Sequence, residues 1–299
     1  MKFKIKHFGT LLKKTFKVWN AKDPFRESSI IAYYSIFSIP ALLTIVIAVA
    51  GMFFGRDGVS GYIYQQLGAT MGMSTAASIR DMISKASATG NSVWATILGV
   101  ATLLLGATGV FAQLQKSLNI IWEVKADPKK QNILETIKTR VFSFGLIVSI
   151  GFLLLISLVI TSMLSVLGTY LHGELSVIRQ IVFNVINFLV SFGVIAVLFA
   201  MIYKVLPDAK IRWRVVSTGS ILTAFLFVMG KLALGIYFGR ADPGSAYGAA
   251  GSIVLMLLWV SYSTMAVFFG AEFTKIYSDF YDLPAAPSKI AVKDKGREK

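Results

Sequence analysis

The chain of 299 residues is 55% hydrophobic and only 15% charged, with a mean hydropathy of +0.68, whereas soluble domains carry roughly a quarter charged residues. Water is therefore not its main solvent. The absence of Cys excludes disulfides and thiolate metal sites, and two His leave little for imidazole chemistry, while the net charge of +15 raises nucleic acid or anionic lipid as partners.

Residues 1–28 form a basic N-terminal segment. Within it Phe8, Leu11, Leu12, Phe16 and Trp19 recur at helical spacing and Lys13, Lys14 and Lys17 take the other side, which predicts an interfacial amphipathic helix. Asp23 and Pro24 end that pattern, and Pro at a helix start suits a second helix entering the bilayer. A span needs about 20 mostly apolar residues, and such stretches lie at 29–54, 93–122, 141–168, 181–206, 215–236 and 251–272. Ala48, Val49 and Ala50 resemble a small-residue cleavage site, but the apolar run before them exceeds the h-region of a signal peptide, so the first span reads as an uncleaved anchor. Between the first two spans, the loop 55–92 carries two apolar patterns separated by Gly68–Gly72 and reads as two short helices on the outer surface, a cap or a lid. The tail 281–299, with Pro284, Pro287 and alternating Lys, shows no apolar period and reads as disordered. The expected fold class is all-α: a polytopic membrane protein with a cytoplasmic amphipathic segment at 1–28, a six-helix transmembrane domain at 29–280 and a basic cytoplasmic tail.

The distribution of the 30 Lys and Arg supplies an orientation. Segments 1–28, 123–140, 207–214 and 273–299 hold eight, five, three and six of them, whereas 55–92 holds three and 169–180 and 237–250 hold one each. Basic loops stay cytoplasmic during insertion, so both ends are expected on the cytoplasmic side with an even number of spans between them. On this reading the charge serves topology and contact with anionic lipid headgroups at the cytoplasmic face, and no nucleic-acid partner is expected.

Polar residues within the spans mark candidate functional positions, because ionisable groups in hydrocarbon cost several kcal/mol unless paired or hydrated. Gln113, Lys116, Asn119 and Glu123 fall within about a 120° sector of the second span, a stripe facing protein or water, or a helix end emerging with Lys116 snorkelling. Glu272 closes the sixth span at the same depth, where a pair with Lys116 or Lys204 is open. Lys231 sits about 8–10 Å inside the outer surface, with Glu174, Asp242, a carbonyl or an anionic ligand as possible partners. Pro40 frees the carbonyl of Ile36 and predicts a kink beside Tyr33, Tyr34, Ser35 and Ser38, a patch that either lines a pathway or satisfies the freed backbone. Asn184 and Asn187 predict interhelical hydrogen bonds, and Gly235, Gly239 and the small-residue run from Ser245 to Ser252 predict close helix packing.

Four motifs, SIIAYYSIFSIP at 29–40, GVFAQLQKSLNIIW at 109–122, LPDAKIRW at 206–213 and YGAAGSIVLMLLWVSYSTMAVFFGAE at 247–272, together resemble the YihY/BrkB family of bacterial inner-membrane proteins over roughly residues 10–280. The resemblance implies a six-span protein whose relatives have been linked to resistance to host killing and to envelope lipid export, some bearing a ribonuclease label. Tyr33, Pro40, Lys231, Trp259, Gly270 and Glu272 match the family pattern, and no catalytic role comes with them.

The functional expectation is a transporter or a lipid or amphiphile translocase, with Lys116 and Lys231 as contacts for an anionic or amphipathic substrate; the alternative is a non-transporting envelope scaffold. A homo-oligomer is compatible with either. The ribonuclease label finds little support, since His7 and His172 fall on opposite predicted sides of the membrane and the cytoplasmic acids lack metal-ligand spacing. No Walker loop is present, and neither cofactor, metal nor catalytic residue is expected.

Overall fold

The structure is a computed structural model and describes residues 7–71, 73–88, 93–127, 177–241, 247, 250–288 and 290–294. The expected span at 141–168, the proposed Lys231 partners Glu174 and Asp242, His172 and half of the run from Ser245 to Ser252 lie outside the described residues.

Among the described residues the chain is helical, with α1 at Phe8–Asn20, α2 at Pro24–Phe54, α3 at Arg56–Met71, α4 at Met73–Ala88, α5 at Val93–Ile121, α6 at Val177–Val205, α7 at Trp213–Ala241 and α8 at Gly251–Phe280. Five of the six apolar stretches thus coincide with helices of 29 to 31 residues, about 45 Å each at 1.5 Å per residue. Three segments, Asn184–Val205, Trp213–Phe238 and Gly251–Phe280, are long and apolar enough to cross a membrane. Helix α2 runs unbroken through Pro40, and the hydroxyl of Ser35 donates to the carbonyl of Ile31 at 2.8 Å rather than to that of Ile36.

Local chemistry sets the helix junctions. Asp23 adopts the left-handed conformation (φ 49°) and Pro24 follows at the first position of α2, so α1 and α2 meet in a tight turn. At the far end Gly55 has φ 80°, a conformation open chiefly to glycine, and α3 starts at the next residue. The two helices expected in the loop 55–92 are α3 and α4, and they fold back onto the bundle: Ile79 is buried with Met256 and Trp259 of α8. The opposite end of α8 belongs to a larger core with Leu11, Leu118, Trp122, Tyr203 and Phe273.

Helix α8 is the hub, packing against α1, α2, α5 and α7. Its junction with α7 is the tightest feature of the bundle. Gly219 and Thr223 of α7 face Gly270 and Thr274 of α8, and a Cβ at either glycine would overlap the opposing threonine hydroxyl. Small residues four apart on both partners let the backbones approach. Each threonine Oγ1 donates to the carbonyl four residues earlier, at 2.9 Å (Thr223 to Gly219) and 2.6 Å (Thr274 to Gly270), so neither hydroxyl is orphaned. From α6 the fully buried Tyr203 donates to the carbonyl of Val267 at 2.7 Å and lies 2.7 Å from Thr223 Oγ1. Helices α2 and α5 use the same device, since a Cβ at Gly109 would lie 2.7 Å from the ring of Tyr34. The sequence pointed to Gly235 and Gly239 for close approach; close contacts are found at Gly109, Gly219, Gly230 and Gly270, which that spacing did not single out.

The tail departs from its expected disorder. Strand β4 (Ala291–Lys293) pairs antiparallel with β1 (Val124–Ala126) just after α5, and β3 (Ala286–Pro287) pairs with β2 (Ala209–Lys210) just before α7. Hydrogen bonds from Ser288 N to Asp208 O at 2.8 Å and from Asp127 N to Ile290 O at 2.9 Å extend the pairing, and Lys125 meets Asp294 at 2.9 Å. The tail gains order from two loops distant in sequence, whose backbone groups need partners, and not from any apolar period of its own.

Replacing Gly270 with Ala is expected to lower stability by about 2 kcal/mol through overpacking against Thr223 and Tyr203. Gly193→Ala on α6, where a Cβ meets nothing within 4 Å, is the control and is expected to be neutral or slightly stabilising. Melting curves of the detergent-purified proteins decide it; equal melting temperatures would contradict the tight junction.

Candidate functional site

The α1–α2 turn, the end of α5 and the last third of α8 surround a cleft of about 720 Å³ whose lining combines charged groups with the apolar surfaces of Trp19, Ile120, Ile121 and Phe268. Four acids, Asp23, Glu27, Glu123 and Glu272, and two cations, Lys22 and Arg26, line it.

Lys22, Glu27, Glu123 and Glu272 are each held by a partner on another element. Glu272, with its side chain only 3% exposed, meets Lys22 Nζ at 2.9 Å, and Lys22 projects from the α1–α2 turn with 28% exposure. One helical turn on, Lys275 reaches Glu123 at 3.4 Å and Asp279 at 2.8 Å. Glu123 stands beyond the last turn of α5 with φ 53°, which swings it towards α8. Glu27, in the first turn of α2 where the helix dipole favours an acid, accepts hydrogen bonds from Gln113 Nε2 and Ser117 Oγ, both at 2.8 Å, and meets Arg26 at 3.2 Å. Placing these carboxylates together is tolerable because Glu27, Glu123 and Glu272 gain charge-assisted contacts and Asp23 is exposed to solvent.

The polar residues of α5 do not form the single stripe expected. Gln113 and Ser117 face Glu27, whereas Gln115 and Asn119 face Asp208 in the α6–α7 connection. Asn119 donates to Asp208 Oδ2 and accepts from the Asp208 backbone N–H, both at 2.8 Å, with Gln115 at 3.3 Å. Each pair is spaced i,i+4, and an offset of two residues turns the second pair about 200° around the helix. Lys116 lies outside both pairs, is exposed and has no ion-pair partner among the described residues. The expected options for Glu272, Lys116 or Lys204, are therefore corrected: Lys22 reaches it first, and Lys204 instead bonds the carbonyl of Ile211 and lies 5.6 Å from the Trp213 ring centre.

Of the remaining candidates, Tyr33 is 59% exposed and meets Tyr34 and Phe37 edge-on along the outside of α2. Tyr34 packs on Gly109. The backbone of Pro40 is in α2, and Lys231 is half-buried on α7. Tyr33, Tyr34, Lys116 and Lys231 do not line the cleft; Glu272 does, and Gln113 reaches it through Glu27. Sequence reasoning missed Lys22, Glu27 and Ser117. The available signal was an acid one turn after Asp23-Pro24, at the mouth of an apolar helix.

Lys22→Met is expected to cost about 2 kcal/mol of stability by stranding Glu272, and Lys22→Met combined with Glu272→Met to recover most of that loss. Thermal unfolding of the two single variants and the double variant measures the interaction; additive losses would show that the pair contributes nothing.

Comparison with known proteins gives a consistent picture. A family model described as virulence factor BrkB matches residues 15–291. Similar curated proteins include UPF0761 membrane proteins from Verminephrobacter eiseniae, 26% identical over 83% of this chain and 57% of that protein, from Alteromonas mediterranea, 27% identical over 62% of this chain and 60% of that protein, and from Vibrio campbellii, 24% identical over 90% of this chain and 84% of that protein. The chain spans 57 to 60% of the length of the Verminephrobacter, Alteromonas and Tolumonas auensis proteins. No solved structure matches it. With nearly its whole length covered by the family model, and with relatives that are membrane proteins, the chain is an integral membrane protein of the BrkB family.

Proposed function

We propose that this protein spans the bacterial cytoplasmic membrane six times with both ends in the cytoplasm, and that it moves an amphiphile across or between leaflets, using the charged cleft as the inner access site. The observation that carries the reading is the cleft itself, a volume of about 720 Å³ whose lining includes both paired charges and the apolar surfaces of Trp19 and Phe268. Such a mixed lining suits a molecule with a polar head and an apolar body. Its charged partners come from the α1–α2 turn, α5 and α8, so a shift of α1 or α2 against α8 would open or close it. The reading places a headgroup among Lys22, Glu27 and Glu272 rather than at Lys116 and Lys231, and assigns no covalent chemistry to any residue. Energy for directed movement would come from an ion gradient or a partner protein.

The absence of native Cys makes topology directly testable. Single substitutions Lys14→Cys on α1 and Ser84→Cys on α4, both at exposed positions, are expected to react with an impermeant maleimide from the cytoplasmic and the outer side respectively. Labelling of both from one side would overturn the orientation.

For transport, proteoliposomes containing fluorescent NBD-phosphatidylethanolamine or NBD-phosphatidylglycerol report leaflet exchange through dithionite bleaching. Wild-type protein is expected to accelerate exchange of at least one probe. Ile120→Trp, which fills the cleft, is expected to slow it roughly tenfold, equivalent to about 1.4 kcal/mol in the barrier. Lys116→Ala and Lys231→Ala should leave it unchanged. Exchange no faster than in protein-free vesicles, or an Ile120→Trp variant of wild-type rate, would refute the cleft as the path.

A further inference from the structure

Helix α1 packs on α8 but stands off from α7, and the gap is a second, different cavity. Leu11 and Thr15 of α1 are buried, while Trp19 meets Phe269 edge-on at 5.7 Å and Phe8 meets Phe273 at 6.0 Å. The neighbouring stripe of α1, Leu12 and Phe16, faces a groove of about 540 Å³ whose far wall is Leu222, Phe225 and Leu226 of α7. The lining is apolar except for Lys13. Phe16 of α1 and Phe225 of α7 remain 58% and 54% exposed, and α7 is long and apolar enough to cross a membrane.

Two features select the occupant. A groove open along the flank of a membrane-crossing helix meets acyl chains, not water or soluble peptide. Directly beside the apolar stripe runs a cationic one: Lys13 and Lys17, four residues apart and both exposed, stand on the same face of α1, and Arg212 is exposed just before α7. Leu222 and Leu226 lie about 14 and 20 Å along α7 from its first residue at 1.5 Å per residue, a span comparable to one fatty-acyl chain. We propose that this groove seats one acyl chain of an anionic phospholipid, with its phosphate at Lys13 and Lys17, and that this lipid completes the docking of α1 onto the bundle. The site is separate from the charged cleft and holds whether or not the protein moves lipids.

The test is native mass spectrometry of the full-length protein after exchange into mixed micelles with equal amounts of dioleoyl phosphatidylglycerol and dioleoyl phosphatidylcholine. Wild-type protein is expected to retain one phosphatidylglycerol with roughly tenfold preference. Lys13→Glu with Lys17→Glu, at exposed positions that leave the packing alone, should abolish the preference. Leu222→Trp with Leu226→Trp, which fills the groove, should abolish retention. Equal retention of both lipids by the wild type, or an undiminished preference in the Glu variant, would overturn the proposal; so would unchanged retention in a tryptophan variant that melts as the wild type does. If the tryptophan variant does not fold, the Glu variant alone decides.

Discussion

The bundle depends on how closely α7 and α8 approach. In lipid there is little hydrophobic drive to bring helices together, so close packing and satisfied hydrogen bonds must supply the attraction. Gly219 and Gly270 remove the side chains that would hold the backbones apart, and Thr223 and Thr274 fill the resulting hollows with hydroxyls already bonded to their own helices. Tyr203 ties α6 to the same point by donating to a carbonyl of α8. With α8 fixed, its other faces receive α1, α2 and α5. The charged cleft exists because those three elements converge on the last third of one immobilised helix.

The electrostatics of that convergence follow one pattern: among the described residues, its three buried or half-buried acids each take a donor from elsewhere in the chain. Glu272 takes Lys22, Glu27 takes Gln113 and Ser117, and Asp208 takes Asn119 and Gln115. These pairs cross between elements far apart in sequence and fix the angles at which α2 and α5 reach α8. Partly exposed partners such as Lys22 keep the cleft wettable, whereas the groove beside α1 is almost wholly apolar. One end of the molecule thus offers two neighbouring cavities of opposite polarity.

Much of the architecture was legible in the sequence because lipid permits few solutions: a long apolar stretch must become a helix, and α2, α5, α6, α7 and α8 fall where hydropathy put them. The spacing of Phe8, Leu11 and Trp19 likewise announced α1, and the apolar patterns on either side of Gly68–Gly72 announced α3 and α4. Pairings were not legible. Glu272 and Asn119 stood out as polar residues in apolar helices, but Lys22 and Asp208 looked like ordinary turn and loop residues until folding brought them together. Tyr33 and Lys116, which composition made conspicuous, face outward. The glycines that let α7 and α8 approach, Gly219 and Gly270, are matched to the threonines opposite, which no single helix reveals.

The two small sheets impose an order of events. Strands β1 and β2 acquire their hydrogen-bonding partners only from β3 and β4, which leave the ribosome after every described helix has been made. The collar that ties the α5 exit to the start of α7 accordingly cannot close before the tail has been made, and until then the hydrogen bonds of Asn119 and Gln115 to Asp208 are what join these two ends.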